Sequence, residues 1–351
     1  MTTPRPTIQP WSRQVRSMRS SIMVVATLPA LLAIAILMLT QWDFSVVLLC
    51  VFLPMQVVAG AVLGALSFGK RGLKDAILMV FAVFLFSMVF VLLLSVLYSV
   101  ISTGIGALSP HFFYENNRYV NTTTSLDYGG VGHAILGTLE IVLIASIISV
   151  PLGLALAIYL TQSRAKHLAV IRTIVQALSG LPSVVSGLFI LAFMHFFMLQ
   201  PSGLMGALAL FPLMLPTIAR VAEESLKLVP PDLRMGALAL GAPNYRAFFR
   251  VILPAAKTGI VTAILLGLAR VIGETAPLLL TTTVGNITNF NIFSGAIATL
   301  PTYIYSFLGS SYDVSQLRAW GGALVLLILV AVLFISARVL TRKKSTKRKS
   351  K

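Results

Sequence analysis

Charge is what this sequence has least of. Only 11% of its 351 residues are Asp, Glu, Lys or Arg, less than half of the roughly 25% typical of soluble domains. Cysteine is almost absent as well. The single Cys50 sits in an apolar run, so no intrachain disulfide can form, and it reads as one more small hydrophobe. No His or Cys pair has the spacing of a metal site, and no Gly-x-Ser-x-Gly elbow marks a nucleophile in a soluble fold. These absences speak against an enzyme. What is abundant is apolar surface, at 57% of residues and a mean hydropathy of +0.93. Length alone would suggest about two domains in water, but the solvent implied here is lipid.

Apolar runs long enough to cross about 30 Å of hydrocarbon lie near 22–41, 45–67, 76–101, 133–160, 171–198, 203–221, 256–282 and 320–340. In lipid each must be helical, because its amides have no water to bond. The expectation is an all-α polytopic membrane protein of about eight transmembrane helices. The first run is longer than the apolar stretch of a signal peptide, and Gln41-Trp42-Asp43 offers no small-residue cleavage site, so no cleavable leader is expected.

The net charge of +17 could signal nucleic acid or topology, and the positions decide. With residue 1 in the cytoplasm, every Lys and Arg except Arg118, Arg270 and Arg318 falls on the inner side. Arg118 and Arg318 lie outside, and Arg270 lies within a helix. That is the positive-inside rule, so the basic excess is topological and no nucleic-acid partner is implied. Both termini are then cytoplasmic, with the basic tail at 341–351 against anionic headgroups of the lipid bilayer.

The organisation expected is a basic amino-terminus (1–21), three helices (22–101), an outer loop (102–132), a helical core (133–340) and the tail. The loops 102–132 and 283–319 are polar and almost uncharged. Asn121-Thr122-Thr123 and Asn286-Ile287-Thr288 match a glycosylation triplet, a chance-level signal outside a secretory route. No internal repeat is evident.

The longest inner loop, within 223–254, reads as two short helices. Pro231 suits a first helical turn, Asp232 favours the positive end of the helix dipole, and Gly241 is a natural terminator before Pro243. An apolar, alanine-rich helix exposed to cytoplasm needs either a groove in a partner or its own bundle to cover it.

The other informative segment is Ala269-Arg270-Val271-Ile272-Gly273-Glu274-Thr275-Ala276-Pro277-Leu278-Leu279. A charge in mid-membrane costs about 2.5–3.5 kcal/mol even on insertion scales, so Arg270 should face protein. Glu274, four residues on, would share its face and neutralise it. Pro277 leaves the Gly273 carbonyl unpaired and favours a kink. The functional reading is a station on an anion path, where a guanidinium fork suits phosphate oxygens. The structural alternative is an interhelical salt bridge.

Two resemblances attach to these residues. The inner loop is similar to the EAA loop of ABC-importer permeases, in which Glu-Ala-Ala, three residues, Gly, nine residues and Ile-x-Leu-Pro recur. Here Gly241 is followed by nine residues and Val251-Ile252-Leu253-Pro254, while Met235-Gly236-Ala237 stands where Glu-Ala-Ala is usual. The resemblance implies an ATPase-docking segment carrying Arg234, Gly236, Ala237, Leu238, Gly241, Leu253 and Pro254. The string Gly-Glu-Thr-Ala-Pro-Leu-Leu after Arg270 resembles phosphate permeases of the PstA type. Tyr128–Ile135, Gly137-Thr138-Leu139, Leu181–Leu188, with its proline-broken helix, Leu300-Pro301-Thr302 and Ala319-Trp320 extend that likeness over about 128–340. Residues 22–67 look like an addition to its six-helix plan.

The resemblance implies one of two related permease subunits forming a path for inorganic phosphate. A cytoplasmic ABC ATPase dimer would bind ATP and Mg, with no cofactor on this chain, and an extracytoplasmic phosphate-binding protein would deliver the substrate. The competing readings are a permease for molybdate or sulfate, a stand-alone channel or secondary transporter, and a purely structural assembly protein. Three further polar residues are candidates. Glu140 lies inside the fourth helix, where it could pair with a cation. His195, among Phe193, Phe196 and Phe197, reads as a packing residue, and His133 as a marker of the outer boundary. Gly64–Lys70 fits Gly-x4-Gly-Lys, but Arg71 stands where a phosphate loop needs Ser or Thr, and the segment follows a helix rather than a strand.

Overall fold

The computed structural model describes residues 27–40, 47–163 and 165–341. The basic amino-terminus 1–21 and residues 342–351 of the tail lie outside them. Among the described residues all regular structure is helical. The chain divides into two units, Met1–Tyr98 and Ser99–Lys351.

The first unit contains α1 (Thr27–Leu39) and most of α2 (Leu53–Gly104), which follows a π-helical turn at Val47–Phe52. Here the expectation fails. Runs 45–67 and 76–101 were read as two spans joined by a basic loop, yet the backbone stays helical through 68–75. Lys70, Arg71 and Lys74 end a hydrophobic run without ending a hydrogen-bond ladder, since Lys and Arg are good helix formers and no proline intervenes. At 52 residues and about 1.5 Å per residue, α2 far exceeds a bilayer's thickness. The Gly-x4-Gly-Lys segment is part of this helix, so no strand–loop–helix phosphate cradle exists there.

The second unit holds α3 (Gly132–Gln162), α4 (Leu168–Ser179), α5 (Ser183–Phe196), α6 (Gly203–Lys227), α7 (Pro231–Ala239), α8 (Asn244–Ala255), α9 (Lys257–Ile272), α10 (Ala276–Thr281), α11 (Leu300–Leu308) and α12 (Asp313–Thr341). Among the described residues four helices are long and apolar enough to cross a membrane, Phe84–Ala107 of α2 with its 3-10 extension, α3, α6 and α12, or six if the bent pairs α4–α5 (99°) and α8–α9 (68°) each count as one. The expected eight is therefore not reproduced span for span.

Lipid tails are as apolar as leucine, so burial against water cannot hold these helices together, and close packing must. α6 is the central post. Leu210, Leu213, Met214 and Ile218 have no exposed surface, and they pack with Ile141 and Ala145 of α3 and Val271 of α9. Glycine makes the approach possible. A Cβ on Gly153 of α3 would meet the Ile218 side chain at 2.9 Å, and one on Gly267 of α9 would meet it at 2.6 Å.

At one end of the core, Phe248 and Ile252 of α8 pack with Ala157, Ala222, Leu226 and Ile260, fastening the α7–α8 hairpin to the bundle. At the other end the loop before α3 is tied down. The Asn117 amide donates to the Asn286 carbonyl and the Val131 amide to Phe112, while Glu115 Oε2 accepts from the Gly129 amide. Arg318, read from the sequence as an outer-loop residue, lies in α12, which starts at Asp313. Its polar first turn carries little hydropathy, but Asp313 suits the helix's positive end.

Candidate functional site

Two helix interruptions converge near Arg270. α4 stops at Ser179, and α5 restarts after Pro182 at a 99° bend. α9 stops at Ile272, with Gly273 closing its end, and α10 restarts with Pro277 in its first turn. The expected kink at Pro277 is thus a complete break at 273–275. α10 lies directly on α5, because a Cβ on Gly187 would come within 2.7 Å of the Pro277 Cα.

Arg270, in the last turn of α9, bridges these elements. Its Nη1 donates to Thr217 Oγ1 of α6 at 3.1 Å, and its Nη2 to the Ser179 carbonyl at 3.5 Å. That carbonyl belongs to the orphaned set at the end of α4, where partial negative charge collects. The guanidinium is therefore directed at protein, as its cost in lipid requires. It remains exposed in the single chain, and two of its five N–H donors are engaged by the protein.

The expected partner is not there. No ion pair joins Arg270 to Glu274. Among the described residues the ion pairs are Arg172–Glu223 and Lys227–Glu223. The physical reason is the break itself. The i, i+4 geometry assumed a helix running through 274, but Gly273 ends it, and Glu274 sits half-buried in the turn with its amide bonded to the Val271 carbonyl. The missed partners are Thr217 and Ser179. Thr217 carried a weak signal, a hydroxyl just after Pro216 inside an apolar run.

The α7–α8 hairpin takes the local form its residues dictate. Pro231 occupies the first turn of α7 with Asp232 beside it, and Gly241 adopts φ +80° with open space around it, a conformation that favours glycine. Leu233, Met235, Leu240, Tyr245 and Phe249 are exposed, Leu240 at 91%. Among the residues singled out in sequence, Gly236 and Pro254 are exposed, whereas Arg234, Ala237, Leu238 and Leu253 are half-buried.

The remaining polar candidates divide. Glu140 is half-buried with its Oε2 enclosed and unpartnered, and it enters neither ion pair found among the described residues. His133 is buried with its ring edge-on to Tyr303. His195 is exposed at the end of α5, not packed away as expected. The Phe197 ring instead packs at a tilt against Phe193 and edge-on to Phe196.

Residues 149–346 match the family described as the binding-protein-dependent transport system inner membrane component. The "Phosphate transport system permease protein PstA 1" of Mycobacterium tuberculosis is 41% identical over 217 residues, covering 60% of this chain and 70% of that one. The "Phosphate transport system permease protein PstA" of Yersinia pestis is 39% identical over 254 residues, covering 72% and 84%. Among solved structures, an inward-facing MetNI methionine ABC transporter aligns at 20% identity and a TM-score of 0.47, covering 61% of this chain and 95% of that one.

Proposed function

We propose that this chain, which belongs to the family of binding-protein-dependent transport system inner membrane components, forms half of an ATP-driven import path for inorganic phosphate. The observation that carries the reading is Arg270. It is fixed at a junction of broken helices, its guanidinium is exposed on the single chain, and it sits in a protein 39% identical over 254 residues to a phosphate permease. A preorganised fork of donors in a low-dielectric setting suits a phosphate oxyanion.

In this reading Gly273 and Pro277 supply the break that frees donors and carbonyls at the same depth, while Glu274 lines the path without holding Arg270. A second, related permease subunit closes the open side of the site. The exposed apolar face of α7–α8, with Gly241 at its turn, fills a cleft in one copy of a cytoplasmic ABC ATPase dimer. ATP and Mg reside on that partner, and this chain binds no cofactor. An extracytoplasmic phosphate-binding protein loads the path from the side of the loops around 102–132 and 283–319. The chain then lies in a bacterial inner membrane with both termini cytoplasmic, and closure of the ATPases rocks the helices between two access states.

The test is uptake of labelled phosphate by the reconstituted complex, with sulfate and molybdate as competitors. Competition by phosphate alone is expected, and equal competition by sulfate or molybdate overturns the substrate assignment. Docking has its own test. Replacing Gly241 by Val should strain the φ +80° turn by about 1–2 kcal/mol and weaken copurification of the ATPase. Unchanged copurification contradicts the docking role.

A further inference from the structure

A second charged cluster lies along the two helices that hold Arg270. On α4, residues 172, 176 and 179 share one face, and on α6, residues 217, 220 and 224 do the same. Arg270 bonds to Ser179 and Thr217, the members of each stripe nearest the break. About two helical turns away, roughly 10 Å along the axes, these stripes reach a cavity of about 250 Å³ lined by Arg172, Gln176, Arg220, Glu223, Glu224 and Lys227 among others. At about 30 Å³ per water, it has room for an oxyanion and part of its hydration shell.

The chemistry of this lining is specific. Glu223 is nine-tenths buried, and a single oxygen, Oε1, accepts from Arg172 Nη2 at 2.9 Å and from Lys227 Nζ at 2.6 Å. Arg172 also donates to the Leu160 carbonyl at 3.3 Å, joining the ends of α3, α4 and α6. Arg220 is exposed on the lining, and its guanidinium enters neither of the ion pairs found among the described residues. Three cations thus face two carboxylates, so the lining carries a net positive charge.

We propose that this cavity is a second oxyanion station, one that the anion reaches from Arg270 along the α4–α6 lane, with Arg220 as its anchoring cation. The proposal rests on the phosphate-import reading and assigns that ligand its exit site. Glu223 is the internal competitor. While its carboxylate holds Arg172 and Lys227 the station is weak, and when those contacts loosen the two cations turn to phosphate. Lys227 is the last residue of α6, immediately before the α7–α8 hairpin, so displacement of the hairpin pulls on one arm of the competing ion pair. Anion retention at the exit thereby becomes sensitive to hairpin position.

The experiment is equilibrium binding of inorganic phosphate to the assembled, nucleotide-free transporter without its binding protein, beside vesicle uptake by the same preparations. Removing one charge-assisted contact by Arg220→Gln should weaken binding about tenfold, and Arg220→Lys, which keeps the charge, should restore most of it. Glu223→Gln should tighten binding several-fold, a change that a merely structural ion pair does not produce. Binding unchanged in Arg220→Gln, or weakened in Glu223→Gln, overturns the station even where uptake by the unaltered complex is normal. Failure of the unaltered complex to take up phosphate instead overturns the reading beneath it.

Discussion

Two arginines separate what holds this protein together from what it does. Arg318 is 1% exposed. Its guanidinium donates to the carbonyls of Tyr128, Thr124 and Ser125 at 2.9–3.2 Å and lies over the Phe307 ring at 5.8 Å. Arg270 is exposed and makes two bonds, one of them at 3.5 Å. A buried cation with three bonds onto one loop behaves as a rivet. An exposed cation with donors to spare, held at a helix break, is placed to meet something that comes and goes. Next to Arg318, burial pushes the Tyr303 phenol up to about 12, so it stays neutral at any physiological pH and adds no charge beside the guanidinium.

The largest effect that tests this contrast is Arg318→Met. It leaves three carbonyls without their donor, and each buried acceptor left unsatisfied costs about 1–3 kcal/mol. The purified subunit should melt well below its parent in a thermal scan, whereas an unchanged melting temperature would erase the distinction between rivet and site. Thr217→Val is smaller and acts on function. It keeps the shape at α6 and removes an acceptor from a cation, worth about 1.5–3 kcal/mol. Uptake should fall by about tenfold or more with little change in melting, and a loss of assembly would instead make the Arg270 junction structural. Glu274→Gln is the smallest. Without an ion pair to Arg270, the coupling in a double-mutant cycle of the two positions should stay below about 0.5 kcal/mol, and a larger value would restore the pairing that the helix break removes.

The same pair shows what the amino-acid order makes legible. Arg270 stands out because charge inside an apolar run is costly wherever the chain goes, and Gly241 because a turn before a proline needs its conformational range. Both signals are local. Glu274 was misjudged by extending a helical period across Gly273, where the helix ends. Arg318 was misjudged because a polar first turn looks like loop to any hydropathy count, and only tertiary contacts with residues 124–128 reveal its burial. The joining of 45–67 and 76–101 into one helix has the same origin, since hydropathy reports where lipid could be and not where hydrogen bonding stops. The Arg172–Glu223–Lys227 network was half visible, as an i, i+4 pair on α6, but its third member arrives from α4. Side-chain type and local turns are written in sequence, whereas partners brought by distant helices are not.

The central claim is that the guanidinium at position 270 handles the transported anion and is not needed for the fold. Phosphate uptake by the assembled complex carrying Arg270→Glu tests it most directly, with subunit stoichiometry checked on the same sample. Uptake should vanish while the complex assembles in parental amounts. Uptake at the parental rate in that complex would contradict it.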